Sequence, residues 1–134
     1  MKKKKISLFD RAKADLETVK RLLPTVDDEL LVDICAYHCQ QCIEKIVKFA
    51  IELEGKEYSG RHDIFIVIED LEYQELKDLI MPIIPYVDGW ISSTRYGAGI
   101  RSSRIQVEKA RDICAKAIEL INKILPKKMD PHLS

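Results

Sequence analysis

The sequence is poor in glycine and proline, with five of each among 134 residues. That scarcity argues against the turn-rich layout of a β-sandwich and against a disordered chain. It has no net charge, because 22 basic side chains balance 22 acidic ones. No overall field therefore draws it towards nucleic acid or an anionic membrane. Its longest apolar run, from Leu79 to Ile84, is far too short to cross a bilayer. The basic start at Lys2 to Lys5 has no apolar segment behind it, as a secretory leader would, so a cytoplasmic protein without a membrane span is expected. Internal repeats and β-type alternation are also missing. One domain over residues 1–134 with a single core is the expectation.

The 4 cysteines sit inside helical patterns with no turn-rich framework around them, which points to free thiols in a reducing compartment. Cys35, Cys39 and Cys42 share the spacing of ligands that cradle an iron–sulfur cluster. Here that spacing falls on a helical pattern, so small buried thiols are the better reading. No metal and no cofactor are expected.

What the chain does have is one long helix-forming stretch, Asp33 to Glu54, without Gly or Pro. At about 100° per residue, Leu31, Cys35, Cys42, Ile46, Phe49 and Leu53 share one side. Val32, Ala36, Cys39, Ile43, Val47 and Ala50 carry the apolar surface round to roughly 200°, wider than an ordinary surface helix needs. Such a helix belongs at the centre of a bundle. The remaining strip holds Tyr37, His38, Gln41, Glu44, Lys45 and Lys48 at spacings of three and four.

The other elements arrange themselves around it. Ser7 caps a first helix that runs to about Leu23, with Asp15 and Glu17 on its outer face, and Pro24 ends it. Thr25 or Asp27 caps the central helix, and Gly55 stops it. His62 and Asp63 open a short third helix. A fourth begins near Tyr73 or Glu75, with a kink or break at Pro82 and Pro85, and resumes towards Trp90. Ser92 to Arg101 reads as a mobile loop. Ser102 or Ser103 caps the last helix, which Pro126 ends. Short connections make neighbouring helices antiparallel. The fold class is all-α: an antiparallel up-and-down four-helix bundle with an extra short helix.

Charge is placed unevenly along this frame. Residues 63–78 carry Asp63, Glu69, Asp70, Glu72, Glu75 and Asp78 against Lys77, whereas residues 92–107 carry Arg95, Arg101 and Arg104 without an acid. A partner would meet a patch rather than a field. Arg95 offers a planar fork for phosphate and Tyr96 a stacking face, while Arg101 and Arg104 add positive potential at a helix start. His38 is either a core-edge residue or a member of a cleft with Gln41, Lys45 and Arg95. Gln41 and Lys45 suit an anionic or base-like ligand, while Glu44 and Lys48 read as an i, i+4 ion pair. His62 and Asp63 either orient the third helix or touch a ligand.

Three landmarks occur in a telling order: Tyr37-His38-x-x-Gln41-x-x-Glu44-Lys45-x-x-Lys48, then Ser59-Gly60-Arg61-His62-Asp63-Ile64, then Arg95-Tyr96-Gly97. Together, over nearly the whole chain, they resemble the HEPN domain family. The resemblance implies a helical bundle that pairs into homodimers, often encoded beside a minimal nucleotidyltransferase in toxin–antitoxin or defence modules. It implies nucleotide or RNA binding, and the ligand-binding residues expected here are Tyr37, His38, Gln41, Lys45, His62, Asp63, Arg95, Tyr96 and Arg101. One subset of the family are metal-independent ribonucleases, with an Arg followed four to six residues later by a His. The positions that far beyond Arg95 are Gly99, Ile100 and Arg101, so that motif is missing here. The expectation is therefore a non-catalytic or weakly catalytic module, the alternative a homodimeric ribonuclease toxin using Arg95 with His38.

Overall fold

The computed structural model describes residues 5–96 and 102–129, with side chains over 5–90 and 102–125. Helix α1 spans Leu8–Leu22. Ser7 and Asp10 form a reciprocal cap, each side chain accepting the other's backbone N–H at 3.1 Å. Pro24 then sits at the start of a 3-10 turn, Leu23–Thr25, where its missing N–H costs nothing.

Helix α2 spans Glu29–Leu53. Its cap is neither Thr25 nor Asp27 but Asp28, whose carboxylate accepts the N–H of Leu30 at 2.8 Å. Thr25 is occupied otherwise, its hydroxyl donating to the carbonyl of Leu22 at 3.0 Å. Gly55 ends α2 with φ of 79°, a left-handed conformation that only glycine adopts freely.

Helix α3 is a single turn, Ile64–Val67, followed by a 3-10 turn at Ile68–Asp70. Glu54 at the end of α2 takes the N–H groups of Glu72 and Tyr73 at 2.9 Å each, which fixes the approach to α4, Gln74–Ile80. The break expected at Pro82 and Pro85 is a 3-10 turn over Met81–Ile83, after which α5 runs Ile84–Tyr96. Each proline falls in the opening residues of its element, where φ near −65° is already the helical value.

Two expectations are overturned at the chain's later boundaries. Residues 92–96 are helical rather than loop, because nothing between Trp90 and Gly97 breaks the helix. Helix α6, Arg104–Met129, continues past Pro126, since one missing backbone bond late in a long helix does not stop it. Ser103 caps α6 through a second reciprocal pair, with Gln106 N–H on its Oγ at 3.2 Å and its own N–H on Gln106 Oε1 at 3.4 Å.

Helix α2 is the centre of the bundle, packed against α1, α5 and α6. Phe9 stacks on Phe49 at 5.2 Å, so α1 runs antiparallel to α2. Helices α2 and α6 are parallel: Ser102 meets Asp33 at one end, and Ala50 and Ile124 line one hollow at the other. Antiparallel order thus holds for α1 and α2 and not for α2 and α6. The fold is all-α, and no strand occurs among the described residues. The thiols of Cys35, Cys39, Cys42 and Cys114 are free and fully buried. Leu31, expected on the inner surface, lies at the open start of α2, and its neighbours Leu30 and Ile34 are exposed as well.

Candidate functional site

The polar strip of α2 is divided between two carboxylates. On the flank towards α1, Asp15 holds both His38 and Lys45: Oδ1 lies 3.0 Å from His38 Nδ1, and Oδ2 lies 2.5 Å from Lys45 Nζ. Asp15 is therefore not on the outer face of α1. It borders the buried Ala12 and Val19, three residues before and four after it, and this spacing was the signal available in the sequence. The ring of Tyr37 stands edge-on to His38 at 5.7 Å.

On the opposite flank the carboxylate is Glu44, on α2 itself. Its Oε1 accepts from Gln40 Nε2 at 3.0 Å. Its Oε2 accepts from Lys48 Nζ at 3.2 Å and lies 3.0 Å from His62 Nδ1. Gln40, Glu44 and Lys48 are all buried. Charges that deep survive only when paired and hydrogen-bonded, and here each one is. Gln40 also donates to the carbonyl of His62 at 3.4 Å, and Gln41 donates to Gln40 Oε1 at 2.7 Å. Lys48 Nζ lies 5.3 Å from the ring centre of Tyr58. The 56–63 segment is thus docked on α2 at both ends. Sequence reasoning passed over Gln40 and read Glu44 and Lys48 as an i, i+4 ion pair, which they are, without the burial. Only the fold shows that a loop covers them.

Asp63 occupies the cap position of α3, yet its side chain makes no capping bond. It turns instead to Arg61, 3.5 Å away. The cap comes from α5: Asp88 accepts the N–H of Ile64 at 2.8 Å and of Phe65 at 3.0 Å. Burial pushes the Asp88 carboxyl above its ordinary pKa, more strongly than these two hydrogen bonds pull it down, and Asp63 and Glu44 add to the rise.

Arg95 and Tyr96 fall in the last turn of α5, and Arg101 lies outside the described residues. Arg104 is not spare positive potential, because its guanidinium donates to the carbonyls of Leu23 (2.9 Å) and Val26. It ties the start of α6 to the turn between α1 and α2, beside a hollow of about 270 Å³ lined by Asp27, Glu29, Val32, Ser102 and Ser103. Burial, with Cys39 adding to it, pushes the Cys35 thiol up to about 11, which leaves it protonated and inert at neutral pH. Among the described residues, no group of three His, Cys, Asp or Glu side chains is placed to hold a metal ion.

The family model for the HEPN domain matches residues 7–125. The chain belongs to the HEPN domain family. No curated protein and no solved structure matches it. The HEPN match runs from the cap of α1 to the residue before Pro126, so it takes in both carboxylate clusters and the arginine-bearing end of α5. Membership supports a nucleotide- or RNA-related role in general terms. Among the described residues, no helix of this HEPN domain is long and apolar enough to cross a membrane.

Proposed function

We propose that this HEPN domain is a nucleotide- or RNA-recognising module that acts as a homodimer, with a nucleotidyltransferase as its partner protein, in a toxin–antitoxin or defence setting. The observation that carries the reading is the divided polar face of α2 within a chain of this family. Two imidazoles, His38 and His62, are each held by a carboxylate on either side of Gln41. Held groups of this kind suit recognition, because little side-chain freedom remains to be lost when a ligand binds. HEPN domains often dimerise, and the exposed pair Leu30 and Ile34 at the start of α2 gives a second copy an apolar surface to cover. In this reading Arg95 contacts phosphate and Tyr96 stacks on a base, and Arg101 contributes positive charge.

Sedimentation equilibrium together with titration of a fluorescent single-stranded RNA tests the proposal. The parent is a dimer that binds, and Arg95→Ala weakens binding about tenfold or more, the equivalent of one charge-assisted hydrogen bond. A variant that binds as well as the parent removes Arg95 from the site.

A further inference from the structure

We propose that the furrow between α4 and α6 docks a short amphipathic helix of another protein, one with an apolar stripe, a basic flank for α4 and an acidic flank for α6. The inference stands apart from the RNA-recognising reading. Lys116, where the furrow begins, lies about 18 Å along α6 from Arg104, well away from the start of that helix.

The furrow is a hollow of about 530 Å³. Its floor is apolar, with Leu120 buried and Leu79 half-buried. One rim is acidic: Glu75 and Asp78 stand one turn apart on α4. The other rim, on α6, is mainly basic, with Lys116 and Lys123 on either side of Glu119. All five rim residues are exposed. Among the described residues no ion pair joins the two rims. Lys116, Glu119 and Lys123 do not pair with one another either, although their spacing of three and four allows it. Rims of opposite sign that closed on each other would seal the floor. Here they stay apart, and the charge on each side is left for whatever lies between them.

The lining sets the chemistry of the occupant. Leu79 and Leu120 call for apolar side chains over them. From Lys116 to Lys123 the furrow follows α6 for about 10 Å, which is two turns of a facing helix. Such a helix carries apolar residues three and four apart. Lys or Arg on one edge meets Glu75 and Asp78, and Asp or Glu on the other meets Lys116 and Lys123. Nucleic acid and anionic lipid are disfavoured, because the α4 rim repels phosphate. A second copy of this chain fits less well, because a twofold axis over the furrow brings Glu119 as well as the two lysines against the acids of α4.

The test follows the fluorescence anisotropy of labelled helical peptides, about four turns long, mixed with the full chain. All share one leucine stripe. The first has lysines on one flank and glutamates on the other, the second lysines on both, the third glutamates on both. The parent should bind the mixed peptide about tenfold more tightly than either of the others. Glu75→Lys combined with Asp78→Lys alters exposed side chains only, so the fold should be kept, as circular dichroism checks. This variant should bind the mixed peptide about tenfold more weakly and should prefer the all-glutamate one. Arg95→Ala should bind all three as the parent does. No binding by the parent, equal binding of the three peptides, or a double variant that ranks them as the parent does overturns the proposal. So does loss of the dimer in the double variant at sedimentation equilibrium, which would make a second copy the occupant. None of these outcomes touches the RNA reading, which the RNA titration decides.

Discussion

The two flanks of α2 solve one problem in opposite ways. Towards α1 a carboxylate from a different helix, Asp15, holds two groups of α2 that lie seven residues apart. Towards the 56–63 segment the carboxylate belongs to α2, and it holds one group from its own helix and one from the segment. The first arrangement joins two long helices that already pack through Phe9 and Phe49. The second joins a helix to a segment in which no residue is buried, so its polar contacts carry more of the docking. Water reaches the two unequally: Lys45 and His38 keep 21% and 29% of their side-chain surface, whereas Glu44 and Lys48 keep 8% each. Depth therefore decides what losing a partner costs.

The largest effect should come from the deeper flank. Glu44→Ala leaves Lys48 buried without a counter-charge, and about 3 kcal/mol of stability should disappear, read from urea unfolding by circular dichroism. Replacing both Glu44 and Lys48 by Met should cost much less, within about 1 kcal/mol of the parent, because no charge is then stranded. A double variant as unstable as Glu44→Ala would show that the loss lies in packing rather than in charge.

On the shallower flank Asp15→Ala should cost about 1–2 kcal/mol, since water can reach the groups it leaves behind. Equal losses for Asp15→Ala and Glu44→Ala would end the distinction between the flanks.

The contrast also explains what could be read from the sequence. The helices, the central place of α2 and the buried thiols follow from apolar periodicity, which depends only on spacing along one element. The division of the polar strip does not. It depends on which neighbour approaches from which side, and Asp15, at the border of the α1 stripe, carries no local mark of that. The cap of α3 misled in the same way. Asp63 holds the position a local rule assigns to a cap, but Asp88, 24 residues from Ile64, makes the bonds. Proline was over-read at position 126, because one missing backbone bond late in a helix of this length does not stop it.

Asp88 provides the last and smallest prediction, and it probes the deeper flank from outside, because Glu44 and Asp63 both push its carboxyl up. The folded pKa lies above the unfolded one, chiefly through burial, so the folded state holds the proton more tightly. The stability this adds is fully present below the ordinary Asp value and is lost as pH rises through the raised one. Asp88→Asn keeps an oxygen to cap α3 but cannot titrate, so the parent should gain on it as the medium is acidified through that window, as measured by urea midpoints at a series of pH values. Asp88→Ala, without any cap, should lose about 1 kcal/mol at neutral pH. A parent–Asn difference that stays flat across the window would mean that Asp88 is as well solvated folded as unfolded, and that the deeper flank does not reach as far as α5.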